Sequence, residues 1–147
     1  AWEYVYKVKR FGDVPWYETE LQMDSEQLYK GRDSRKVVFT HILEDLDFAI
    51  EHLPKPQEQK IGNMHKDAAL AVKSRACLYE AAFRKNHGLG DYEELYRDAA
   101  EAAEQVIEEG GYAIYKTDNP TLDFYNLFVQ EDLSSNSECI MPRVYIT

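Results

Sequence analysis

The residues of this 147-residue chain that could do chemistry are a run of carboxylates, four histidines, a glycine pair and two cysteines. Glu44, Asp45 and Asp47 could be read as an acid/base pair for glycosidic bond cleavage, which needs two carboxyl groups facing one another across a bond. Near neighbours on a helix point in different directions, however, so these three read as a solvated acidic face. His41, His52, His65 and His87 share no metal-ligand spacing with each other or with cysteine, and they read as surface or capping residues. Gly88-Leu89-Gly90 follows a helical pattern, not a strand, so it reads as a helix stop instead of a phosphate loop. No G-x-S-x-G nucleophile motif is present. Cys77 and Cys139 are too few for a disulfide framework, and Cys77, set among alanines, reads as a buried free thiol. Residue chemistry therefore predicts no catalytic residue, no metal and no cofactor.

Two further features carry expectations. Lys66, Lys73, Glu80 and His87 recur every seven residues and trace a polar stripe on a helix. Arg75 lies about 200° around the helix from Lys73, which turns it toward the interior of a helix stack. A buried guanidinium needs a charged partner, so a structural ion pair of Arg75 with Asp45 or Asp47 of the preceding helix is expected. Trp16-Tyr17 could stack on sugar rings, but an aromatic lid over the helices is the simpler reading. No carbohydrate-binding residue can be assigned.

The elements that position these residues follow from periodicity. His65–Lys85 is rich in alanine and apolar over most of its circumference, with Ala68, Ala71, Leu78 and Ala82 on one face, which predicts a central helix enclosed by others. Val38, Ile42, Leu46, Ala49, Ile50 and Leu53 follow a good N-cap at Asp33 or Ser34 and stop at Pro54. Asp91 and Glu94 resemble a capping box ahead of a stripe expected to be buried, Leu95, Tyr96, Ala99, Ala103, Val106 and Ile107. Helices are thus predicted at about 1–11, 34–53, 65–86 and 91–109, with irregular flanks. Asp24-Ser25-Glu26 marks a short turn, and Cys139–Ile146 reads as an extended arm or edge strand.

LEDLDFAIEHLP and YRDAAEAAEQVIEEG recur at roughly the period of tetratricopeptide-like repeats. The predicted class is mainly α, a tetratricopeptide-like antiparallel helix stack forming a single domain over residues 1–147. Seventeen basic residues against 27 acidic ones give a net charge of −10, the wrong sign for a nucleic-acid footprint. No apolar run approaches the ~20 residues needed to span a bilayer. Trp2, Val5, Tyr6 and Lys9 begin in helical spacing, so the chain reads as a piece of something longer.

Three segments together resemble one known family: RFGDVPWY (Arg10–Tyr17), GRDSRKVVFTHILEDLDFAIEHLP (Gly31–Pro54) and KDAALAVKSRACLYEAAFRK (Lys66–Lys85), continued by HGLGDYEEL (His87–Leu95). Their order and spacing are similar to those of the SusD/RagB family, nutrient-binding outer-membrane lipoproteins of the Bacteroidetes. The match covers most of residues 1–133. It departs at Gly62-Asn63 and Asp67, where the family usually carries Gly-Arg and a further glycine.

The resemblance implies a non-enzymatic, lipid-anchored protein on the outer face of the outer membrane. Such proteins capture oligosaccharides or other nutrients for a SusC-like TonB-dependent transporter, and this chain would be an internal helical portion of one. The alternative reading from the helix pattern is a tetratricopeptide-like protein–protein interaction module.

Overall fold

The computed structural model describes residues 1–143, of which the secondary structure is mainly helical. Five α-helices are formed among the described residues: α1 (Trp2–Phe11), α2 (Arg35–His52), α3 (Lys66–Asn86), α4 (Glu93–Glu109) and α5 (Pro120–Phe128). Single 3₁₀ turns occur at Glu26–Tyr29 and Pro56–Glu58. No strand forms among the described residues. Extended pairing there is confined to one isolated antiparallel bridge between Val14 and Asp33. The expected extended arm over Cys139–Ile146 carries no strand as far as Arg143, and its last three residues lie outside the described ones.

The sequence was read as one domain; contacts cluster into two compact units, Ala1–Phe48 and Ala49–Thr147, with the boundary inside α2. In the first unit, α1 buries Val5 and Val8, and α2 buries Val38, Ile42 and Leu46 at four-residue spacing, with Phe39 beside them. That is the i, i+4 stripe the sequence announced. Gly12 closes α1 at φ +70°, a left-handed conformation that a side chain would strain. Ser34 then accepts a hydrogen bond from the Val37 N–H and opens α2.

The second unit is built on α3 and α4, which run antiparallel. Arg84 reaches the Asp91 carbonyl, Ser74 Oγ donates to the Ala99 carbonyl at 2.8 Å, and Leu70 clusters with Ala102 and Val106. As the position on α3 falls the partner position rises, as a helical hairpin requires. Ala69, Ala76, Ala81, Ala99 and Ala102 are all buried, and their short side chains permit the backbone approach that the Ser74–Ala99 bond displays. His65 caps the start of α3, its Nδ1 accepting from the Ala68 N–H. At the other end His87 Nδ1 bonds the Phe83 carbonyl, Gly88 takes φ +65°, and the Leu89 N–H closes back on Arg84 O at 2.9 Å.

Four sequence expectations are corrected here. The first concerns the phase of α3. Glu80, placed on its polar stripe, is buried to 1 % exposure, whereas Leu78, read as core, is 54 % exposed. The second is the expected burial of Arg75, whose side chain is exposed. Asp45 and Asp47 are likewise exposed. The buried guanidinium of α3 is Arg84, whose Nε donates to Glu80 Oε1 at 2.9 Å one helical turn away.

Third, α4 starts at Glu93, two residues later than the capping-box reading. Asp91 sits at φ +59°, outside the helical region, and Tyr92 is the N-cap residue without a side-chain bond. Fourth, α5 lies in a segment read as irregular. It buries no residue, although Leu122, Tyr125 and Phe128 recur at helical spacing. A further signal was Pro120 directly after Asn119, a proline at the first helical position.

Past α4, Gly110 and Gly111 turn the chain. A Cβ on Gly110 would lie 2.5 Å from the Tyr112 ring. Gly110→Ala is therefore expected to cost about 1–3 kcal/mol, the usual range for forced overpacking, read as a lower urea midpoint.

Candidate functional site

The N-terminal unit holds a concave site assembled from two of the segments singled out in the sequence. Val14 precedes a proline and is extended, as sterics demand. Its carbonyl accepts the Asp33 N–H at 3.2 Å, while Asp33 Oδ2 accepts the Trp16 N–H at 2.7 Å. Asp13 Oδ1 in turn accepts the Arg35 N–H at 2.7 Å, and Arg35 Nη1 donates to the Val8 carbonyl at the end of α1. Each segment thus satisfies the backbone of the other.

Lys30 completes the lock. Its Nζ lies 2.7 Å from both Asp33 Oδ2 and the Trp16 carbonyl, and 5.3 Å from the centroid of the Tyr17 ring. The hydrogen bond from Lys30, then that from the Trp16 N–H, holds the Asp33 carboxyl below the usual carboxylate range. A carboxyl whose folded pKa is depressed stabilises the fold above its unfolded value and loses that contribution as pH falls through the folded value. Acidification below about pH 4, the ordinary carboxylate range, is therefore expected to loosen the Trp16 loop. In a Trp2→Phe background the Trp16 emission should change there, and Asp33→Asn should remove that step.

The aromatic wall is set by hydrogen bonds and stacking. Tyr4 Oη donates to the Pro15 carbonyl and accepts the Tyr17 N–H at 3.0 Å. Trp16 stacks nearly parallel on His41, with centroids 5.0 Å apart, and has Tyr4 tilted at 4.2 Å. His41 Nδ1 is 2.9 Å from Glu44 Oε2, which fixes the imidazole plane under the indole. Trp16 is therefore committed to two internal ring contacts, as an aromatic lid would be, while the Tyr17 ring meets the Lys30 ammonium.

Around these residues lies an open cavity of about 340 Å³ bordered by Trp16, Tyr17, Glu18, Lys30, Asp33 and His41. A second depression of about 310 Å³ shares Trp16, Tyr17, Glu18 and His41 and adds Tyr4, Glu44 and Asp45. The lining combines flat rings with carboxylates and a committed ammonium. Such a surface suits stacking and hydrogen bonding of a polar ligand; Glu44 is already engaged by His41.

The remaining sequence candidates do not gather here. His65 and His87 are the caps of α3, and His52 is exposed at the end of α2. Among the described residues no group of three or more His, Cys, Asp or Glu side chains is placed to hold a metal ion. Cys77 is fully buried and Cys139 half-buried, both as free thiols. No described helix is long and apolar enough to cross a membrane. Sequence reasoning missed Lys30 and Asp33 as a pair, because they lie outside any helix, where a spacing of three does not by itself bring side chains together. It also missed Arg84, which Glu80 four residues earlier could have revealed.

No family model, curated protein or solved structure matches this chain.

Proposed function

We propose that this chain is the helical scaffold portion of a SusD-like surface protein, which captures oligosaccharides or related nutrients for a TonB-dependent outer-membrane transporter. In this reading the full-length protein is lipid-anchored and non-enzymatic, and its helices are arranged as tetratricopeptide-like pairs. The observation that carries the reading is the interlock between RFGDVPWY and GRDSRK. Asp13, Val14 and Trp16 of the first are each bonded to Arg35 or Asp33 of the second. Two of the three strings on which the resemblance rests are thus one physical device, which explains why they occur together at this spacing. The aromatic and carboxylate lining beside them suits a polyhydroxylated ligand, because ring faces stack on apolar sugar faces while carboxylates accept from hydroxyls.

The test is affinity electrophoresis of the full-length protein through gels containing individual plant and host polysaccharides, with fractionation of native cells alongside. Retardation by at least one polysaccharide and recovery in the outer-membrane fraction are expected. A protein that migrates freely through every polysaccharide and fractionates with the cytoplasm would overturn the proposal.

A further inference from the structure

We infer that residues 112–140 form a strap that lifts from the α3–α4 hairpin, turning at Gly110-Gly111 and latched on the start of α3. The strap has two arms with α5 between them. Tyr112, in the first arm, donates its hydroxyl to Asp67 Oδ2 at 3.1 Å. In the second arm the Ile140 carbonyl lies 3.0 Å from His65 Nε2. His65 Nδ1 accepts from the helix N–H, so the ring proton sits on Nε2 and is donated to Ile140. The same two side chains, Tyr112 and Ile140, rest on the buried cluster Leu70, Ala102 and Val106. Both arms are therefore fixed to neighbouring points at one end of the hairpin.

Three hydrogen bonds tie the arms to each other. Ala113 N–H donates to the Ser137 carbonyl at 3.0 Å, and Ser137 Oγ returns a bond to the Ala113 carbonyl at 3.1 Å. Tyr115 N–H donates to Glu138 Oε2 at 2.9 Å. One arm cannot leave without breaking these, which makes release cooperative. Between the arms α5 buries nothing, and Thr117 and Asp123, bonded to one another, hold its start within the strap itself. The middle of the strap thus adds no anchorage.

Two features favour opening over rigid closure. The second arm spans an incompletely filled cavity of about 220 Å³, walled by Pro56, Lys60 and His65 on one side and Leu133, Cys139 and Ile140 on the other. Gly111 holds φ +70°, and two successive glycines give the hinge a freedom that other residues lack. Opening uncovers Leu70, Ala102 and Val106 and frees the Cys139 thiol, which burial pushes up and keeps protonated in the closed form.

The two cysteines report the motion with a built-in control. Cys139 lies in the strap, while Cys77 is wholly buried on α3 and reacts only when the hairpin itself unfolds. Labelling with an aromatic disulfide reagent at pH 8 should modify Cys139 well ahead of Cys77. Tyr112→Phe keeps the ring but removes a latch bond, and should speed Cys139 labelling on the order of tenfold with the Cys77 rate unchanged. Lys116→Ala, outside both latches, should change neither rate. Equal acceleration of both thiols in Tyr112→Phe, or an unchanged Cys139 rate in a folded variant, would overturn the strap.

Discussion

Arg84→Ala is expected to destabilise the second unit by about 3–5 kcal/mol, because it takes the Arg84 guanidinium from a Glu80 carboxylate that stays buried. Glu80 is 1 % exposed and Arg84 8 %, so water cannot take over the role of the guanidinium. The loss is large against the ~5–15 kcal/mol that holds a typical domain folded. Urea unfolding followed by circular dichroism reads it as a lower midpoint. Arg84→Lys should recover only part, since an ammonium lacks the planar fork that serves both Glu80 and the Asp91 carbonyl. Replacing Glu80 and Arg84 together by Leu and Met should cost less than Arg84→Ala alone, because both members of the buried pair are then removed together. A single-site loss below about 1 kcal/mol, the scale of a solvated pair, would refute this burial.

The second large effect is at Ile42, whose side chain is completely enclosed in the first unit. Ile42→Ala removes three carbons from a close-packed site and leaves a void, which costs about 2–5 kcal/mol. Leu78→Ala provides the contrast. Its side chain was assigned to the core by periodicity but is 54 % exposed, and the change should stay within about 0.5 kcal/mol. Thermal unfolding of the two variants side by side tests both the Ile42 enclosure and the corrected phase of α3. Comparable losses for the two would reinstate the sequence-based phase.

The contrast between these two leucine-like positions shows how far the sequence could be read. In α2 the apolar residues Val38, Ile42 and Leu46 stand against Lys36, Glu44 and Asp47, so a stripe is visible and its burial followed directly. In α3 alanines occupy nearly every face. Alanine is compatible with both core and surface, so the pattern told that a helix was there but not which side it turned inward. Glu80 and Arg75 were therefore assigned to the wrong sides. Only the cross-hairpin contacts, Ser74 with Ala99 and Leu70 with Ala102, set the rotation of the helix.

The candidate site divides in the same way. Val14-Pro15 had to be extended and Trp16-Tyr17 had to leave the helix, both consequences of local sterics. That Asp33 would reach back to the Trp16 N–H, or that Tyr4 would hold the Tyr17 backbone from α1, depends on pairings across 17 and 13 residues. No local propensity encodes such pairings, because the backbone donors they satisfy exist in every residue.

What the sequence by itself determined is the helical class, the positions of four helices to within two residues, and the glycine and proline stops between them. Those properties depend on interactions within a few residues: caps, φ restrictions and apolar spacing. What only the tertiary structure decided is the facing of α3, the buried Glu80–Arg84 pair, the interlock that shapes the aromatic cavity, and the return of residues 137–140 to His65 and Ala113. Each of these depends on which distant groups meet. Burial turns an ordinary i, i+4 pair into a structural charge pair, and long-range hydrogen bonds turn an irregular tail into a latched strap.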